Sequence, residues 1–337
     1  MRLGRPWLLA LGALSALAGL AGLAGLAGCE KENFRLFGLI DAAPPPDAEP
    51  PPAPVAAPVL AEVEGADASA GKALFAAHCA SCHGDDGKGK TEAANALRLA
   101  PTDLSGVGYI CRTTDARPIA VPADLDIESA LERGSHRGRK DLVALDAAAR
   151  RSLTLHVKTL AREYTNATSP LAYVAPETPD DAASRARGRT AYLTVGCWRC
   201  HGLDGNGGEA AALANIRWND RPLASITPLA KKKDYVCGDA PDAVYRLVSL
   251  GISASGATIM PRYQEFLEDF AKPWKVAPEK WTKSIDDKAS PAEVSAVRAW
   301  LDAQPEHEAV VAMKPSEKRA RAGAVLWDLV HYVRSLQ

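Results

Sequence analysis

Two stretches of this chain place two thiols and an imidazole at the same spacing: Cys79-Ala80-Ser81-Cys82-His83 and Cys197-Trp198-Arg199-Cys200-His201. Residues i, i+3 and i+4 of a helix share one face, so a single turn presents all three groups to one ligand. The spacing is the signature of c-type haem attachment. Two thiols bond the vinyl groups of one porphyrin and the histidine beneath ligates its iron. One such copy would also suit a disulfide or half of a zinc site. Two copies, each followed by a Gly/Asp-rich loop, point to two covalently attached haem c groups, held by Cys79 and Cys82 and by Cys197 and Cys200. No nucleophile–base pair, phosphate loop or nicotinamide site stands beside them.

The elements that must position these groups read as one unit written twice. The first opens at Gly71-Lys72-Ala73-Leu74-Phe75, an amphipathic helix running into Cys79, and the second at Gly188-Arg189-Thr190-Ala191-Tyr192, running into Cys197. Gly-dense loops follow each histidine (Gly84 to Lys90, Gly202 to Gly208). Further on, Tyr109-Ile110-Cys111 echoes Tyr235-Val236-Cys237, and a helix is expected after each, over Ile127 to Gly134 and Asp242 to Gly251. Closing helices are expected over Leu153 to Leu160 and Leu329 to Leu336. The resulting division is 1–28 signal peptide, 29–66 lipidated N-terminus and Pro-rich linker, 67–166 first domain, 167–183 linker, and 184–337 second domain with an insertion at 262–315. With 337 residues, 47% of them hydrophobic but only 6% aromatic, the chain suits small Ala-rich helical domains in which a large cofactor supplies much of the core. A net charge of −1 points away from nucleic acid.

Both units resemble class I cytochrome c domains, over roughly 70–165 and 184–337. The resemblance implies an all-α fold of two tandem domains, each wrapping one haem, with His83 and His201 as proximal iron ligands. In such domains a methionine on a later loop usually fills the sixth position. Gly256-Ala257-Thr258-Ile259-Met260-Pro261 is similar to that loop, which makes Met260 the expected ligand of the second haem, with Met313 as the alternative. The first unit departs from the pattern, because no methionine lies between the signal peptide and Met260. Its loop, Ser135-His136-Arg137-Gly138-Arg139-Lys140, offers His136 first, then Lys140, or leaves the site open. His156 is expected to pack near the haem, and His78 and His307 to lie at the surface. Cys111 and Cys237 either form a cross-domain disulfide or remain two separate buried thiols. The insertion, with Trp274, Trp281, Trp300 and a helix over Pro291 to Ala303, packs over the haem or against a partner subunit.

The N-terminus carries a short basic start, Met1 to Arg5, and an apolar stretch from Trp7 to Gly28 ending Leu26-Ala27-Gly28-Cys29. This is an export signal, and its end resembles the lipobox of bacterial lipoproteins, in which Cys29 would be lipidated. An ordinary signal peptide or an uncleaved anchor helix are the alternatives. The Pro/Ala-rich stretch Asp41 to Pro58 reads as a polyproline-type tether which, at about 3.1 Å per residue, reaches roughly 55 Å. The expected protein is therefore a membrane-anchored dihaem electron carrier on the periplasmic side of the cell envelope. It would relay single electrons between protein partners of a respiratory chain, alone or within a larger oxidoreductase. A peroxidase-like dihaem enzyme and a haem subunit docking a catalytic partner are the alternatives.

Overall fold

A computed structural model describes residues 60–97, 100–106, 109–115, 121–133, 136, 139–161, 169–207, 217–218, 221–222, 228–231, 235–254, 257–272 and 282–337. The export signal, Cys29, the tether, Arg137, Trp274 and Trp281 lie outside these residues. All described residues belong to one body, Pro46–Gln337. The fold is all-α, with two short antiparallel strand pairs as its only regular β-structure among the described residues.

The first repeat runs α1 (Ala68–His78), α2 (Ala80–His83), α3 (Glu92–Asn95), α4 (Asp124–Ala130), α5 (Lys140–Val143) and α6 (Ala147–Leu160). Extended Asp67 caps α1, its carboxylate accepting from Ser69 N (2.7 Å) and Ala70 N (2.8 Å). Such a cap satisfies donors that the first turn leaves open. Gly71 and Phe75, one turn apart, are the buried residues of α1, and this face crosses α6. A Cβ added at Gly71 would lie 1.9 Å from Ser152 O and 2.9 Å from His156 Cβ. Only glycine permits that approach, although it costs about 1 kcal/mol in a helix interior.

The second repeat repeats this crossing. It comprises α7 (Ala182–Thr194), α8 (Trp198–His201), β1 (Arg217–Trp218), β2 (Arg221–Pro222), α9 (Pro241–Leu250), β3 (Ile252–Ala254), β4 (Ala257–Met260), α10 (Tyr263–Glu268), α11 (Pro291–Asp302), α12 (His307–Ala312) and α13 (Pro315–Ser335). Asp181 caps α7 through Ser184 N at 2.7 Å. A Cβ at Gly188 would lie 1.9 Å from Asp328 O and 2.7 Å from Tyr332 Cβ. Gly71, Phe75, Ser152 and His156 thus correspond to Gly188, Tyr192, Asp328 and Tyr332. The ring pairs Phe75–His156 and Tyr192–Tyr332 meet edge-on at 5.1 and 5.3 Å. His156 is accordingly a buried packing residue of the crossing. His78 is partly exposed, its Nδ1 3.2 Å from Asp141 Oδ2.

The elements differ from the sequence reading at the closing helix and after Gly251. The closing helix α13 starts at Pro315, well before the apolar run that marks its end, because a proline at its first position and Glu317, which accepts from Lys314 N at 3.0 Å, define its N-terminus without an apolar face. The stretch after Gly251 is a bulged hairpin pairing Ile252 with Met260. The insertion belongs to the second core. Ile285, Val297 and Leu301 are buried there with Tyr192, Leu193 and Trp198, and α11 packs on α7, tied by the Arg189–Glu293 pair at 2.7 Å.

The repeats are joined covalently. Cys111 and Cys237 form a disulfide across 126 residues, a loop closure that contributes about 2–5 kcal/mol. Beside it, Arg262 donates to both carboxylate oxygens of Asp115 at 2.6 and 2.7 Å. The connecting segment pairs with the first repeat through a Thr114–Leu171 bridge. It also enters the second core, where Trp327 Nε1 donates to Ala175 O at 2.8 Å.

Candidate haem sites

Each pentapeptide forms one helical turn with the same bonds. Cys82 N and His83 N both donate to Cys79 O (3.1 and 2.9 Å), and Cys200 N and His201 N to Cys197 O (3.2 and 2.9 Å). The turn brings the thiols and the imidazole to one face, as the chemistry requires. The glycine loop then folds back onto the motif, Gly89 N donating to His83 O and Gly207 N to His201 O. All four thiols are unpaired. Burial pushes the Cys79 thiol up to about 11 and the Cys197 thiol up to about 12.

Around the first motif the structure brings together His83 and His136. Their ring centroids lie 6.0 Å apart. His83 Nδ1 is 3.2 Å from Thr102 O and His136 Nδ1 is 2.7 Å from Ala130 O. A carbonyl oxygen only accepts, so both rings carry their proton on Nδ1 and keep the Nε2 lone pair free. This is the arrangement in which an outer partner fixes the tautomer of a metal-ligating histidine. His83 is buried and held down at about 4, first by burial and then by the neighbouring His136, so it stays neutral. The donor set fits a haem iron, which His83 and His136 would hold. Lys140, the other candidate of this loop, is exposed at the start of α5.

Arg139 and Asp141 complete the loop over the first motif. Arg139 donates to Asp141 through Nε and Nη2 (2.8 and 2.5 Å), holding that carboxyl well below the usual carboxylate range. The pair sits near enough to Cys79 to influence its thiol.

The second motif is built differently. Met260 ends β4 and packs, partly buried, on the second core together with Cys197. Met313, which follows α12, is not among the residues packed there. Gly251 (φ +65°) lets the hairpin return against the end of α9, a Cβ there lying 2.4 Å from Met260 O. Tyr263 is buried and sits near enough to Cys197 to influence its thiol. Trp198, inside the motif, is buried under Lys288, whose Nζ lies 5.0 Å from the ring centroid. The sequence reading missed Thr102, Ala130 and Tyr263. The first two act through backbone carbonyls, which carry no sequence signal, and a tyrosine three residues past a candidate methionine has no distinctive spacing.

The family model of cytochrome c matches residues 68–151. That segment is similar to cytochrome c domains. Such a domain carries covalently bound haem c, its work is electron transfer, and domains of this family are typically extracellular or periplasmic. A chain of the reducing HAO-like protein complex of Kuenenia stuttgartiensis shares the fold, at TM-score 0.54 and 20% identity over 82% of this chain and 99% of that one. No curated protein matches the chain. No helix among the described residues is long and apolar enough to cross a membrane. Outside the matched segment, the second repeat carries the same helix crossing and the same Cys-x-x-Cys-His turn.

Proposed function

We propose that this chain is a lipid-anchored dihaem cytochrome c that relays single electrons between respiratory-chain proteins as a subunit of a larger oxidoreductase. The observation that carries the reading is the duplicated turn: two unpaired thiols and a histidine, identically hydrogen-bonded, at the end of a helix that crosses its closing helix at a glycine. Cys79, Cys82 and His83 would hold one haem, and Cys197, Cys200 and His201 the other. When bound, the two irons supply one-electron redox chemistry. The residues set its direction. His83 and His136 offer two imidazoles, each oriented by a carbonyl, whereas His201 and Met260 offer an imidazole and a thioether. Axial-ligand identity is a main lever on haem potential, and the thioether raises it. The first repeat is then the low-potential, donor side and the second the high-potential, acceptor side. The assembly with a larger complex is supported by the Kuenenia stuttgartiensis chain, whose own setting is a protein complex. Cys29 and the tether would hold the unit to a membrane on the periplasmic side.

The test is low-temperature EPR of the fully oxidised, haem-loaded protein, beside a haem-to-chain ratio. The expected result is two haems per chain and two low-spin ferric signals of equal weight. His136→Ala should convert only the first to high spin. One haem per chain would overturn the dihaem reading. A high-spin first iron in the unmodified protein would overturn ligation by His136 and turn attention to peroxide chemistry at an open site.

A further inference from the structure

The loops that carry His136 and Met260 belong to different repeats, yet a continuous run of short contacts joins them. His136 Nδ1 donates to Ala130 O, on the last turn of α4 (2.7 Å). At the other end of that short helix, buried Asp126 accepts from Thr113 N at 3.0 Å to each oxygen, and from Thr113 Oγ1 at 3.2 Å. Two residues on, Asp115 accepts both bonds from Arg262 Nη2. Arg262 is the N-cap of α10 and stands two residues beyond Met260; its Nε also pairs with Glu265 at 2.6 Å. The Cys111–Cys237 disulfide lies beside this path and keeps the two repeats from drifting apart.

We propose that Arg262 is a positioning residue that ties the Met260 loop to the first repeat. Through it, the first repeat holds the thioether where it can ligate. The end of the hairpin is held by the Ile252–Met260 pairing and, just beyond it, by Arg262. Met260 is only partly buried, and Pro261 has no N–H with which to anchor the chain. A guanidinium that bridges a carboxylate of its own helix and one of the other repeat supplies a bidentate constraint at that point. The proposal rests on the reading of Met260 as the second haem's sixth ligand.

The experiment uses the full-length, haem-loaded protein and four variants: Arg262→Gln, Asp115→Asn, their double, and Arg262→Lys. Two readouts are taken. One is the near-infrared charge-transfer band of a ferric iron–thioether bond, and the other is the second haem's reduction potential. If Arg262 acts only through its charge, R262Q lowers the potential and D115N raises it, because a lost cation favours the ferric iron and a lost anion the ferrous. If it positions the loop, both single variants weaken the band and both lower the potential. The double is then no worse than R262Q alone, since the two act through one contact. R262K, which retains a charge and one donor, recovers part of the band. Potentials moving in opposite directions with the band intact would overturn the proposal. A band missing from the unmodified protein would overturn the Met260 reading instead, so the two failures are distinguishable. D115N leaves the Arg262–Glu265 pair in place and carries the test if R262Q fails to fold.

Discussion

The two repeats agree at the helix crossing and at the Cys-x-x-Cys-His turn and disagree in the stretch that follows the middle helix. The helix crossings at Gly71 and Gly188 place the same atoms at the same 1.9 Å from a hypothetical Cβ, and the two motif turns share their hydrogen bonds. Past the middle helix the repeats part. After α4 the first closes a short loop that presents an imidazole beside His83. After α9 the second makes a hairpin that ends at a thioether, and it adds α11, which packs on α7. The difference teaches which parts of such a unit are mechanical and which are adjustable. A scaffold made of one close crossing and one helical turn tolerates either ligand loop, because neither loop contributes to the crossing.

The largest effect that could break this comparison is loss of a whole site. Replacing Cys79 and Cys82 by Ala should leave a protein with one haem and a His/Met spectrum, and replacing Cys197 and Cys200 should leave one with a bis-His spectrum. Mass spectrometry of the intact chain and EPR read both. If either double variant loses both haems, the repeats are not separate loading units. Next in size is the crossing. Gly71→Ala and Gly188→Ala should each destabilise the fold by about 3 kcal/mol. Overpacking costs about 1–3 kcal/mol, and more where the neighbour cannot move. The roughly 1 kcal/mol that alanine adds as a helix former does not offset a clash with a carbonyl oxygen of the partner helix. Denaturant melts of the two variants should match; a marked inequality would mean that the crossings are not equivalent.

Much of this was readable in the residues, for a physical reason that differs from case to case. The helical class was legible because both Cys-x-x-Cys-His units resemble class I cytochrome c domains, and that resemblance implies it. The motif turns were legible because their groups lie within five residues. The pairing of Cys111 with Cys237 was not. A sequence repeat says that two residues are equivalent, and equivalent residues meet only where the two units happen to face each other, which no spacing reveals. The direction in which the insertion packs was hidden for a similar reason: Ile285, Val297 and Leu301 are apolar whichever surface they cover. The hairpin at 252–260 escaped because its strands are too short and too mixed in polarity to show alternation. The tautomers of His83 and His136 were beyond reach, since the atoms that set them are the carbonyls of Thr102 and Ala130.

The smallest expected effect sharpens the comparison at the motifs themselves. The position held by Ala80 in the first repeat is Trp198 in the second, and the indole is covered by Lys288 and flanked by Arg199, whose guanidinium carbon lies 5.7 Å from the ring. An ammonium over an indole at an exposed site contributes about 0.5–1 kcal/mol. Lys288→Ala should therefore lower the stability of the second repeat by that amount and leave the first haem's spectrum and potential unchanged. Lys288→Arg keeps the cation and should restore the loss, whereas Lys288→Gln should not. A thermal melt followed separately at the two haem signals measures it. Equal loss at both signals would mean that the repeats unfold as one cooperative body under the Cys111–Cys237 bond. In that case the insertion stabilises the first haem as much as its own.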